Sequence, residues 1–189
     1  MFGGSPVEPS GSCWVSRFPG STSLDDLLPD FRGRVRAFLL ALKDGGANIR
    51  IAATYRPPER AWLMHWSWLV VAGVDPAKVP HLKTIDIAWL HTNGSAPDVA
   101  ASRAAAKAMV ARYGIKYPPV LASRHTQRRA IDMTIGWKGA LHTRDASGAH
   151  HLITSSPRSG LNYELIEIGK SFGVTKLFSD PPHWSDDGH

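Results

Sequence analysis

Asp132 lies inside a run, 130–135, in which Ile131, Met133 and Ile135 alternate with Asp132 and Thr134. A two-residue period is that of a strand, so Asp132 and Thr134 share the face opposite the apolar set. Aspartate is disfavoured in mid-strand and calls for a partner. Arg128 or Arg129 would be the ordinary one; a metal ion is the other. His125 precedes Asp132 by seven residues. Near the C-terminus, Asp180-Pro181-Pro182-His183-Trp184 offers a second imidazole and a second carboxylate. His125, Asp132 and His183 together make two nitrogen ligands and one oxygen ligand. Such a set leaves a coordination position open, as in catalytic rather than structural zinc sites. Cys13 is the single cysteine, so neither a cysteine-rich structural site nor an internal disulfide is available.

Taken one at a time, these residues have plainer explanations. His125 and Asp132 suit a hydrogen-bonded pair, Asp180 before proline suits a turn cap, and Trp184 suits a core. Their combination is what points to a metal site.

Along the chain, residues 1–23 are rich in Gly, Ser and Pro and read as a flexible leader, leaving 24–189 as one domain. A helix is expected over 29–44, with Phe31, Val35, Phe38, Leu39 and Leu42 at helical spacing and Gly45-Gly46 as its stop. Residues 49–54 alternate as a strand and deliver Tyr55-Arg56-Pro57-Pro58, where Pro57 disfavours helix at Arg56. A second helix is expected over 58–71, with Trp62, Trp66, Leu69 and Val70 inward. A short strand over 84–90 and an Ala-rich helix over 98–112 follow, the latter burying Ala101, Ala105, Met109 and Tyr113. Residues 120–123 and 130–135 read as two arms of a sheet, 136–160 as a loop with a turn at Arg144–Gly148, 161–172 as a fourth helix and 174–178 as a last strand. The expected fold class is α+β: a small antiparallel sheet carrying the metal site, flanked by about four helices. His65, His81, His91 and His142 read as packing residues. His150-His151 has no neighbour that completes a metal site.

The longest apolar stretch is too short to span a bilayer, so no membrane insertion is expected. No secretory signal pattern is visible either. The formal net charge of +6 favours polyanionic partners. The basic residues are scattered and no nucleic-acid-binding motif is present, so no nucleic-acid partner is expected.

The pattern Ser123-x-His125-x6-Asp132, followed much later by Asp180-x-x-His183-Trp184, resembles the M15 group of zinc peptidases. These are the D-alanyl-D-alanine carboxypeptidases and L-alanyl-D-glutamate endopeptidases of bacterial cell-wall metabolism. With Tyr55-Arg56, the resemblance spans residues 49–184. It implies Zn2+ held by His125, Asp132 and His183, Asp180 as the base that takes a proton from water, and Ser123 as a substrate contact. Arg56 would hold the developing oxyanion, a role worth roughly 3–4 kcal/mol. Aspartate at position 180 tilts the resemblance towards the endopeptidase branch. The family motif carries Gly where this chain has Arg128. If that Gly serves a turn with positive φ, Arg128 is strained or the turn differs; its charge would also suit an acidic stem peptide.

The implied partner is bacterial peptidoglycan, met by a monomer made in the cytoplasm. A holin or a secretion machine would release it, as in phage lysis or for an antibacterial effector. The alternative is a zinc-containing wall-binding module without turnover.

Overall fold

The computed structural model describes residues 7–189; the first six positions of the expected leader lie outside them. In chain order these residues form β1 (Glu8–Pro9), α1 (Pro29–Asp44), β2 (Asn48–Ala53), α2 (Pro58–Val71), β3 (Ile87–Ala88), β4 (His91–Asn93), β5 (Ala96–Asp98) and α3 (Val99–Tyr113). They continue with β6 (Ala130–Gly136), β7 (Leu141–Arg144), β8 (His150–Ile153), α4 (Tyr163–Ser171), β9 (Thr175–Lys176) and β10 (His183–Ser185). The fold is α+β, with four α-helices and several small sheets, as expected. Helices α1 and α2 begin at the prolines that open them, where the missing N–H forfeits no hydrogen bond.

The chain forms two compact units. Among the described residues, one combines Pro57–Ala122 with residues 7–19. Its core holds Trp14, Trp62, Leu63, Val70, Ile85, Trp89, Ala106 and Met109. The expectation of a flexible leader needs correction over the described residues. Glu8–Pro9 pairs in parallel with Ile87–Ala88, and Ser12–Ser16 makes a 3-10 turn. Trp14 is only 3% exposed and donates from Nε1 to the Pro9 carbonyl (3.0 Å). Burying one large aromatic outweighs the loose composition around it. The inward face of α3 is Ser102, Ala106 and Met109, one position on from the expected Ala101 and Ala105.

The other unit comprises Gly20–Arg56 and Ser123–His189. Its sheet is antiparallel throughout, in the order β2-β6-β10-β9. Ile131, Met133 and Ile135 turn one face of β6 into a core shared with Phe31, Phe38 and Leu42 of α1, Leu165 and Ile168 of α4, and Trp184 of β10. Side chains of this size, fully buried, contribute about 1.5–3 kcal/mol each. Asp132 and Thr134 are left on the opposite face, as the alternation requires.

Two expected elements differ. Residues 120–123 form no strand; β6 pairs instead with β2 and β10. Within the expected loop 136–160, Leu141–Arg144 pairs with His150–Ile153 as a hairpin, with Leu141, Thr143 and Ile153 buried. The turn between them is where the sequence places it. Asp145 Oδ1 accepts from Ser147 N and Ala149 N, and Gly148 takes φ 89°.

Candidate metal centre

Strand register places two of the three expected ligands. Across the β6–β10 pair His183 lies opposite Asp132, and across β2–β6 Ala53 lies opposite the same Asp132 after a bulge. Directly opposed residues bring their Cβ atoms to about 4.5–5.5 Å, within reach of an imidazole and a carboxylate. His125 arrives from a tight turn. Gln127 N donates to Ser123 O, Arg128 N to His125 O, and Arg129 N to Arg124 O. Ser123 and Thr126 lock this turn reciprocally: Ser123 N donates to Thr126 Oγ1 (2.9 Å), and Thr126 Oγ1 donates to Ser123 O (2.8 Å).

The three side chains converge on one point. His125 Nε2 is 3.0 Å from Asp132 Oδ1 and 3.2 Å from His183 Nδ1, and His183 Nδ1 is 3.1 Å from Asp132 Oδ1. Both imidazoles are buried. The outer nitrogens decide what the inner ones carry. His125 Nδ1 faces the Thr54 carbonyl at 3.1 Å and His183 Nε2 faces the His189 carbonyl at 3.1 Å. A carbonyl only accepts, so each outer nitrogen bears the proton, and in the neutral ring each inner nitrogen bears a lone pair. Two nitrogen lone pairs and a carboxylate oxygen therefore face one another, an arrangement that needs a cation between them. Ligands at about 2.0–2.1 Å around one tetrahedral zinc stand about 3.3 Å apart, close to the spacing observed. The donor set fits Zn2+, and among the described residues these three form the group able to share an ion.

Where no metal is bound, a proton on His183 is the cation at hand. Burial pushes the Asp132 carboxyl up, but hydrogen bonds and charge from His125 and His183 outweigh it and hold the group well below the usual carboxylate range. Burial pushes His183 down, but Asp132, the His189 carbonyl and the Asp180 charge together raise it above its ordinary value. The ordinary partners for Asp132 are engaged elsewhere. Arg129 pairs with Asp186 (2.9 Å) and Asp30 (3.2 Å), while Arg128 stacks over the Tyr55 ring (4.4 Å).

The remaining expected residues gather around the turn and the strand ends. Asp180 is exposed, and its charge acts on His183. Arg56 is half-buried and its backbone N donates to the His125 carbonyl (3.3 Å), the same oxygen that accepts from Arg128 N (3.2 Å). Ser123 Oγ lies 3.4 Å from Thr126 N, a capping contact. Trp184 is fully buried against Phe38, with ring centroids 5.6 Å apart. The carbonyls of Thr54 and His189, which set the two tautomers, escaped sequence reasoning because a backbone acceptor leaves no mark in residue identity. Arg128 takes φ 61°, so position 128 of this turn is left-handed although it carries a side chain.

Other histidines have local partners. His65 Nδ1 donates to the Pro119 carbonyl (2.7 Å), His91 meets Ser10 Oγ (3.0 Å), and His151 meets Asp145 (2.9 Å). No helix among the described residues is long and apolar enough to cross a membrane.

No protein-family model, curated protein or solved structure matches the chain.

Proposed function

We propose that this chain is a zinc-dependent peptidase acting on the stem peptides of bacterial peptidoglycan. The observation that supports it most is the convergence of His125 Nε2, His183 Nδ1 and Asp132 Oδ1 with both outer imidazole nitrogens tied to carbonyls. Three protein ligands suit catalytic zinc, which when bound polarises a carbonyl and lowers the proton affinity of water. Asp180, exposed beside His183, is the acceptor for the proton released by water and its donor to the leaving amine. Arg56, anchored through its backbone to the metal-ligand turn, holds the oxygen that becomes negatively charged. Ser123 contributes to the substrate wall as well as to the turn. The net charge of +6 suits an anionic wall polymer.

The test is mass spectrometry of purified peptidoglycan fragments after incubation with the zinc-loaded protein, with and without chelator. Release of terminal D-alanine identifies a carboxypeptidase. A new N-terminal D-glutamate identifies an L-alanyl-D-glutamate endopeptidase. Intact fragments with zinc bound would overturn the peptidase and leave a zinc-containing wall-binding module.

A further inference from the structure

Lys176 is 3% exposed, and a buried ammonium is costly unless every proton finds an acceptor. Here every one does. Nζ lies 2.9 Å from the Leu177 carbonyl, 2.9 Å from the Asp180 carbonyl and 3.0 Å from the His183 carbonyl. The same three residues close a ring of backbone bonds. Leu177 N donates to His183 O (3.1 Å), His183 N to Asp180 O (2.9 Å), and Asp180 N to Leu177 O (3.4 Å). Each carbonyl thus accepts one backbone N–H and one ammonium N–H. Pro181 and Pro182 have no N–H to add to this ring, and Pro182 O is used outward by Met133 N of β6 (2.9 Å). Three inward carbonyl dipoles make a negative centre, and the ammonium fills it.

This ring is the loop that joins β9 to β10, and it carries both Asp180 and the ligand His183. We propose that Lys176 is a positioning residue of the metal centre: its ammonium organises the 177–183 ring and so fixes His183 and Asp180 relative to each other and to Asp132. The inference rests on the metal-centre reading and not on the identity of the substrate. A Leu or Met here would pack against the Trp184 ring, which lies 5.4 Å from Nζ, yet it would leave three carbonyls short of a donor.

The test compares wild type with Lys176→Met and Lys176→Arg. Zinc affinity is read by competition with a chromophoric chelator, and ligand geometry by the visible spectrum of the cobalt(II)-substituted proteins. Lys176→Met is expected to bind zinc about tenfold to a hundredfold more weakly, the range for groups that orient metal ligands, with an altered cobalt spectrum. Lys176→Arg keeps the charge, but its planar fork does not reproduce a three-way ammonium, so it is expected to fail to restore either readout. Wild-type affinity and spectrum in either variant would overturn the proposal. Should Lys176→Met not fold, the unaltered metal-free protein decides. A slowly exchanging 15N-labelled lysine ammonium, lost in Lys176→Arg, supports the ring; rapid exchange at every lysine overturns it. Failure of wild type to bind zinc would instead refute the metal-centre reading, and the ammonium measurement would still stand apart from it.

Discussion

His183 stands directly across the β6–β10 pair from Asp132, with its Nδ1 3.1 Å from the carboxylate oxygen. Strand pairing therefore sets the two candidate ligands opposite each other, with His183 at the point where the 177–183 loop enters β10. Replacing either should abolish tight zinc binding with little change of fold. His183→Ala and Asp132→Ala are each expected to weaken zinc by at least about a hundredfold, beyond the range of outer-shell changes. Calorimetric zinc titration checks this; an affinity within threefold of wild type would remove that residue from the ligand set.

The proton that holds the metal-free cluster together sets a pH window. His183 is raised above its ordinary value of 6.5, so its contribution is complete below that value and fades as pH rises through its folded pKa. Asp132 is lowered from 3.8, so its contribution is complete above that value and fades only as pH falls well below it. The cluster therefore stabilises the metal-free protein most between these limits. Zinc needs neutral imidazoles and replaces the proton. Thermal unfolding at about pH 5 and about pH 8 is expected to show a zinc-induced rise in Tm that is small at the lower value and large at the higher. An equal rise at both would mean that zinc binds elsewhere.

Asp180 is exposed, while His183 beside it is buried; the proposed function gives turnover to the first and metal binding to the second. Asp180→Asn is expected to keep wild-type zinc affinity and lose activity about a hundredfold or more, the scale of a positioned proton-transfer group. Unchanged cleavage rates would assign the base to another group.

Much of this was legible from residue order, for identifiable reasons. The prolines at 29 and 58 mark the starts of α1 and α2, and the Ile131/Met133/Ile135 alternation puts Asp132 on its own face of β6. The clustering of His125, Asp132 and His183 was legible only from their combination, since each alone has a plainer use. What stayed hidden has a common cause: it depends on partners distant in the chain. Trp14 looks like leader until Trp62 and Met109 are beside it. His183–Ser185 is too short to show a period and is a strand only because β6 and β9 flank it. The Leu141/Thr143 alternation in β7 is a real signal, overshadowed by the polar turn that follows it. Each of the two units joins segments that are far apart in the sequence, which no local pattern reveals.

Gly169 is a mid-helix glycine with a packing reason. A Cβ there would sit 2.8 Å from Trp184 Cζ3, 3.0 Å from the Val174 carbonyl and 3.2 Å from Phe38 Cζ. Helix propensity alone would favour alanine by about 1 kcal/mol, but overpacking against two buried rings and a backbone oxygen costs about 1–3 kcal/mol. Packing wins, because α4 must lie close to the ring behind His183. Gly169→Ala is expected to lower Tm, by up to about 8 °C for a chain of this size. A raised Tm would show that the core yields there.

Arg128 holds φ 61° and covers the Tyr55 ring at 4.4 Å. The left-handed conformation costs a residue with a Cβ roughly 1–2 kcal/mol, and an exposed cation–π contact returns about 0.5–1 kcal/mol. Comparing two variants separates the effects. Arg128→Ala keeps the strain and loses the stacking; Arg128→Gly loses both. The glycine variant is therefore expected to be more stable than the alanine variant by about 1 kcal/mol, read as urea unfolding midpoints with unchanged slopes. Equal stabilities would mean that the turn relaxes away from positive φ once the arginine is gone. A lower stability for glycine would mean that the strain at this position is negligible.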